Sequence, residues 1–357
     1  MAKKILVVDD SALMRRVLCD IIESDERFHV EDRANNGLEA LNLLSRKTYD
    51  AVVLDVNMPQ MNGLELLKEL QKRKISTKVM MASTDTKEGA KTTLDALELG
   101  ALDFVHKPNN AMDCRTDAFK NRMLRILTVV VDSKAPSNSK AFSMEELKAS
   151  KKVVELVGKH ASSVTGNKIV ALASSTGGPK ALQSVIPRLP KNLKAPVVLV
   201  QHMPAGFTSS LAERLDSLSE VRVKEAAEGD VLEAGTVYIA MGGKHMNVQT
   251  STGKYTIHYT DQPTREGVKP CANYMYESLM DSRYDQVVCV VMTGMGADGT
   301  EGIKHLQEKK KIHVIAQEAS TCAVYGMPKS VVNAQLANQI VPLDQIAQEI
   351  IMNVGVN

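Results

Sequence analysis

The chain has 357 residues, more than one ordinary hydrophobic core holds, so two domains are the starting expectation. Its content of 44% hydrophobic and 24% charged residues excludes a disordered chain. A formal net charge of +2 gives no strong attraction to nucleic acid or to an anionic membrane.

The start MAKKILVVDD is basic, but charge returns at Asp9 before a signal-peptide core could form. No run approaches the roughly 18 apolar residues of a membrane span. The cysteines (Cys19, Cys114, Cys271, Cys289, Cys322) show no C-x-x-C pair and no metal-ligand spacing, as reduced buried thiols would. The expected location is cytoplasmic.

Short apolar runs at Ile5–Val8, Ala51–Leu54, Val79–Ala82 and Phe104–Val105 alternate with helical patterns such as Ala12–Ile22 and Gly63–Leu70. Alternating strand and helix predicts a parallel sheet covered on both faces. Val131–Lys140 is polar, contains Pro136 and reads as a linker. Ser143-Met-Glu-Glu146 fits a capping box, with a helical connector predicted to about His160. The strand–helix alternation resumes with runs at Lys168–Ala173, Val197–Val200, Val237–Ala240, Val287–Met292 and His313–Ala316. The predicted fold is therefore α/β, with two doubly wound parallel-sheet domains. The boundaries expected are 1–128, a connector over 129–166, and 167–357.

In the first domain Asp9 and Asp10 follow one strand and Asp55 another. Strand carboxyl ends converge on one crevice in such a sheet, where ligands bind. Three carboxylates meeting there call for a cation, and an oxygen-only site suits Mg²⁺. Ser83 and Lys107 end two further strands, placing a hydroxyl and an ammonium where phosphoryl oxygens could be held.

These residues resemble the receiver domain of response regulators. DD at Asp9–Asp10, DVNMP at Asp55–Pro59, MNG at Met61–Gly63, ALELGA at Ala96–Ala101 and KP at Lys107–Pro108 carry the likeness. The resemblance implies a flavodoxin-like fold with Asp55 as phosphoryl acceptor. It also implies Asp10, Asp55 and the Asn57 carbonyl as Mg²⁺ ligands, with Asp9 acting largely through water. Ser83 and Lys107 would bind the phosphoryl oxygens, and Phe104 would be the switch aromatic.

In the second domain KIVALA runs into Ser174–Pro179, SSTGGP, and then into a helical pattern. A serine on a sharp strand-to-helix turn exposes its Oγ, and amides of the following helix can stabilise an oxyanion. Ser174 and Ser175 are both candidates on the residues alone. A nucleophilic serine needs a base, and the base an orienting acid. Gln201-His202-Met203-Pro204 places an imidazole at another strand end, and TGMGADG (Thr293–Gly299) places Asp298 at a third.

The blocks carrying these residues resemble the chemotaxis protein-glutamate methylesterases. STGG at Ser175–Gly178, QHMPAGFT at Gln201–Thr208, TGMGADG, GGKH at Gly242–His245 and VYGMPKSV at Val324–Val331 match. The resemblance implies a Rossmann-like hydrolase domain with Ser175 as nucleophile, His202 as general base and acid, and Asp298 orienting His202. Backbone amides near Thr176 and Met295 would line the oxyanion hole, and the hydrolase itself would need no cofactor. It further implies methyl-accepting chemotaxis receptors as substrate, a chemotaxis histidine kinase as phosphoryl donor, and deamidation of receptor glutamines. No membrane insertion and no nucleic acid are implied. Three positions depart from the family: Ala173 for a usual glycine, Met241 for a common proline, and Asn273 for a usual aspartate.

Two other classes compete. Gly294-x-Gly296-x-x-Gly299 after a strand, with Glu318 following the next strand, fits a dinucleotide fingerprint. It leaves STGGP and QHMP unexplained. A DNA-binding or scaffolding output lacks a basic recognition helix.

Overall fold

The computed structural model describes residues 2–84, 87–108, 113–133, 165–251 and 253–356. The expected connector helix from Ser143 to about His160 lies outside them. The chain divides into two compact units, Met1–Ala141 and Phe142–Asn357.

In the first unit, strands β1 (Lys3–Val8), β2 (Phe28–Ala34), β3 (Ala51–Asp55), β4 (Val79–Thr84) and β5 (Asp103–Lys107) form a parallel sheet in the order β2-β1-β3-β4-β5. Ile5–Val8 and Ala51–Leu54 have no exposed surface. Burial on both faces explains why these segments read as unbroken apolar runs rather than alternating ones. Each such side chain contributes about 1.5–3 kcal/mol relative to exposure. The helices begin at side-chain caps: Ser11 accepts from the Met14 N–H, and Asn62 with Glu65 forms a reciprocal capping box. Strand order reverses between β1 and β3, so Asp9 and Asp55 flank the crevice at the switch point.

The predicted linker began too early. Val131 and Asp132 form the last turn of the helix Asp117–Asp132, capped at Ser133. Val130 and Val131 are 0% and 4% exposed, and that apolar burial carries the helix past the predicted boundary.

In the second unit the parallel sheet runs β14-β13-β12-β6-β7-β9-β8. Its strands are β6 (Lys168–Ser174), β7 (Val197–Gln201), β8 (Arg222–Glu225), β9 (Thr236–Ile239), β12 (Gln286–Val291), β13 (Ile312–Gln317) and β14 (Gln339–Val341). An antiparallel hairpin, β10 (His245–Ser251) with β11 (Lys254–Thr260), lies between β9 and β12 in sequence. From β6 the chain builds outward through β7 on one side and returns to β12 on the other. The crevice of this sheet therefore opens at the carboxyl ends of β6 and β12, beside β7.

Candidate active site and phosphoryl-acceptor site

β6 turns directly into the helix Gly178–Val185 through Ser175, Thr176 and Gly177, the last in a left-handed conformation. Ser174, the last strand residue, is fully buried, and its hydroxyl donates to Gln201 Oε1 at 2.7 Å. Ser175, half-buried, follows at the rim. The ambiguity left by the sequence thus has a physical discriminator: one hydroxyl is enclosed and committed, its neighbour is reachable.

Ser175 is held by its backbone. Its N–H donates to the Thr293 carbonyl (3.0 Å), and its carbonyl accepts from the Gly178 N–H (2.7 Å) and from Gln201 Nε2 (3.0 Å). The loop after β12 approaches so closely that a Cβ at Gly294 would lie 2.7 Å from Ser175 Cβ. Only glycine allows that approach. Thr293 Oγ1 donates to the Thr176 carbonyl (3.0 Å), fixing the Thr176–Gly177 peptide in the turn after Ser175. Thr176 is buried and Met295 half-buried, on the two loops that flank Ser175.

His202 immediately follows β7, and its N–H donates to the Ser174 carbonyl at 3.1 Å. Ser175 and His202 thus each lie one residue beyond the paired Ser174 and Gln201, on strands about 5 Å apart. Ser175 Oγ makes no hydrogen bond to His202 among the described residues. His202 Nε2 lies 2.8 Å from Asp298 Oδ2. With Asp298 ionised, Nε2 carries the proton and Nδ1 is left as the basic nitrogen.

Asp298 is 1% exposed and saturated with donors. Oδ2 accepts from His202 and from the Ala272 N–H (2.6 Å), while Oδ1 accepts from the Asn273 N–H (2.9 Å) and the Cys271 thiol (3.0 Å). Burial alone would raise this carboxyl, but His202, Cys271 and the Ala272 N–H outweigh it and hold it below the usual range. The same burial, with Asp298 as neighbour, pushes the Cys271 thiol well up, which keeps it a neutral donor.

The family departures have local roles. Asn273 Oδ1 accepts from the Gly299 and Gly302 N–H groups at 3.0 and 2.7 Å, capping the helix Thr300–Lys309 that follows Asp298. Its Nδ2 is buried without a partner among the described residues. The Met241 N–H donates to Tyr259 Oη at 3.0 Å, a bond proline could not make. Ala173 is a fully buried strand residue.

Two of the three glycines of the dinucleotide pattern serve this packing. Gly294 admits Ser175, and Gly299 precedes the helix at φ 97°. Glu318 is held in its own turn by the Ser320 hydroxyl at 2.9 Å.

In the first unit Asp9, Asp10 and Asp55 each bring a carboxylate oxygen within 4.8 Å of the others. Lys107 reaches in from β5, its ammonium 2.9 Å from Asp9 Oδ2 and 2.7 Å from Asp55 Oδ1. Burial pushes the Asp55 carboxyl up and the Asp9 charge adds to this, beyond what Lys107 offsets. Burial would lower Lys107, but the two carboxylates hold its ammonium above the usual range. One buried cation against three carboxylates leaves excess negative charge, and an oxygen-only donor set of this kind fits Mg²⁺. Asn57 is exposed beside the cluster, and Ser83 is buried with its hydroxyl 3.5 Å from the Gly89 carbonyl. Phe104 is buried at 4% exposure.

The sequence matches the CheB methylesterase family over residues 170–350 and the response regulator receiver domain over residues 5–118. A protein-glutamate methylesterase/protein-glutamine glutaminase of Bacillus licheniformis is 42% identical over 97% of both chains. The chain belongs to the CheB methylesterase family. Another relative of the same description, from Pyrococcus horikoshii, is 40% identical over 99% of this chain and 94% of its own. The crystal structure of the Thermotoga maritima CheB methylesterase catalytic domain superimposes with a TM-score of 0.50 at 41% identity, over 53% of this chain and 98% of that one. In CheB terms the second unit is the methylesterase domain and the first a receiver, so both α/β expectations hold. No helix among the described residues is long and apolar enough to cross a membrane.

Sequence reasoning missed Gln201, Cys271 and Thr293 as parts of this site. A polar residue ending an apolar strand was the available signal for Gln201. Thr293, directly after the apolar run Val287–Met292, carries the same mark, and Cys271 carries none.

Proposed function

We propose that Ser175, His202 and Asp298 form a catalytic triad that hydrolyses glutamate methyl esters, and deamidates selected glutamines, on chemotaxis receptors. The observation that carries this reading is the His202–Asp298 pair, with a donor-saturated carboxylate, one strand away from the reachable Ser175 hydroxyl. His202 Nδ1 takes the Ser175 proton as Oγ attacks the ester carbonyl. The amides of Thr176 and Met295 receive the oxyanion. Collapse expels methanol, protonated by His202; water, deprotonated by the same nitrogen, then releases the acyl group as glutamate. A carboxamide follows the same path with ammonia as leaving group.

The proposed domains are a receiver over 1–128, extended to Ser133 by its last helix, a connector over the remainder to 166, and a catalytic domain over 167–357. Asp55 accepts a phosphoryl group from a chemotaxis histidine kinase in the cytoplasm, and Ser83 and Lys107 hold its oxygens. Asp10, Asp55 and the Asn57 carbonyl, with Asp9 through water, would hold Mg²⁺, which would supply neutralisation of the phosphoryl charge. Phosphorylation raises esterase activity by biasing an equilibrium shared by the two sites.

Ser175→Ala should lower methanol release from methylated receptor membranes by at least about 10⁴-fold while leaving the fold intact. Near-normal release from the folded variant would exclude the mechanism.

A further inference from the structure

Gln201 closes β7 and is 1% exposed, a buried amide ending a strand of valine and leucine. A buried primary amide is costly unless its hydrogen bonds are made, so its partners report why it is tolerated. Its Oε1 accepts from Ser174 Oγ at 2.7 Å. Its Nε2 donates to the Ser175 carbonyl at 3.0 Å and to the His202 carbonyl at 3.3 Å. One side chain therefore joins the backbone of the nucleophile to the backbone of the base, across two strands. The two carbonyls fix the amide's orientation, because reversed, Oε1 would face both of them; the Ser174 hydroxyl, able to donate or accept, then donates to Oε1. The Gly178 Cα closes the remaining side. A Cβ there would lie 2.0 Å from Gln201 Oε1 and 3.0 Å from Ser174 Cβ.

We propose that Gln201 is a positioning residue that fixes the separation of Ser175 and His202, with Ser174 as its anchor. The proposal rests on the triad reading. Gln201 touches no reacting atom; it acts through the two carbonyls whose peptides carry the nucleophile and the base. Both peptides lie just beyond the ends of their strands; the Ser175 carbonyl has the Gly178 N–H as its other donor, and the His202 carbonyl has Gln201 Nε2. A peptide that loses the Gln201 bond can tilt and carry its side chain with it, and a misplacement of about 1 Å costs about 10²-fold in rate.

The test uses the full chain. Competent sites are counted by irreversible labelling of Ser175 with a fluorophosphonate, and turnover is measured as methanol release from methylated receptor membranes. Gln201→Leu keeps similar bulk and removes all three hydrogen bonds. It is expected to lower kcat per labelled site by about 30–100-fold, with KM within about twofold. The acid limb of the pH–rate profile should stay in place, because no charge near His202 changes. Gly178→Ala, which displaces the amide by a different route, should give the same signature. Ser174→Ala should cost a few-fold alone and nothing further in the Gln201→Leu background, as expected for residues acting as a unit.

Turnover per labelled site within about threefold of the parent in both Gln201→Leu and Gly178→Ala would overturn the proposal. So would a loss expressed in KM, a displaced acid limb, or additivity with Ser174→Ala. Failure of the parent chain itself to label at Ser175 would bring down the nucleophile assignment, and the clamp with it. Labelling with undiminished turnover in both Gln201→Leu and Gly178→Ala would bring down the clamp alone.

Discussion

Asp298→Asn probes the site through its most constrained group. Every hydrogen bond reaching this side chain is a donation to it: His202 Nε2 and the Ala272 N–H onto Oδ2, the Asn273 N–H and the Cys271 thiol onto Oδ1. An asparagine must turn its NH₂ toward one of these pairs. Facing Oδ1's partners it meets a backbone N–H and a thiol, whose sulfur is a weak acceptor. Facing Oδ2's partners it meets a backbone N–H and an imidazole nitrogen, which accepts well once its proton moves to Nδ1. The second arrangement wins, and it places the proton on the nitrogen that should take the Ser175 proton. A wrong tautomer in the chymotrypsin-type triad costs about 10⁴-fold in kcat, about 5.5 kcal/mol of barrier. The same order is expected here.

The lost bond to the Ala272 N–H adds a stability cost of about 1–3 kcal/mol. That difference has a pH dependence with a defined sign. The Asp298 carboxyl is held below its unfolded value of about 3.9, so its contribution is fully present above about pH 5 and fades as pH falls through the folded value. The gap in melting temperature between parent and variant should be constant at neutral pH and narrow in acid. Methanol release measures kcat, ¹⁵N NMR of the imidazole reports the tautomer, and thermal unfolding against pH gives the gap. A folded variant within about tenfold of parent kcat, with its proton still on Nε2, would refute the assignment of Asp298.

Asp55→Asn should remove the rise in methanol release that a small phosphoryl donor with Mg²⁺ produces in the parent; an undiminished rise would show that control does not pass through Asp55. Gly294→Ala would place a Cβ 2.4 Å from Met327 Sδ and 2.7 Å from Ser175 Cβ. The thioether can swing aside but Ser175 cannot, so kcat should fall by about 10²-fold and stability by about 1–3 kcal/mol, read by methanol release and thermal unfolding. A loss below threefold would refute the close approach.

The parallel-strand core was legible because doubly buried strands leave unbroken apolar runs such as Ile5–Val8 and Val287–Met292. The strand-end residues were legible because a parallel sheet gathers its carboxyl ends. Less visible were elements whose order depends on tertiary contacts. The edge strands β8 and β14 carry too few apolar residues to announce themselves, and β14 has only three residues. The helix Asp117–Asp132 ran on because Val130 and Val131 find the core, which no local propensity reveals. At the site the residues alone left Ser174 and Ser175 tied, and the likeness at STGG favoured Ser175. What local sequence could not show is that the Ser174 hydroxyl is engaged by a partner 27 positions away, Gln201. Cys271 and Thr293 likewise act through donors and acceptors more than 25 positions distant in sequence.

Asp55 and Asp298 make the same argument about environment from opposite directions. Asp55 ends a strand of a parallel sheet and Asp298 lies on the loop after one; both are buried, so burial pushes both carboxyls upward. At Asp298 the donors His202, Cys271 and the Ala272 N–H reverse that push, and the Asn273 N–H occupies Oδ1 as well. The resulting carboxylate stays ionised with its lone pairs engaged, which suits an orienting group and would make a poor nucleophile. At Asp55 one ammonium is shared with Asp9, whose charge reinforces the burial, and Oδ1 has the Val56 N–H as its other hydrogen-bond donor. That leaves carboxylate oxygen capacity for an incoming phosphoryl group and negative charge for a cation. The proposed division of labour therefore follows from the number of donors each carboxylate meets, rather than from its position on the fold.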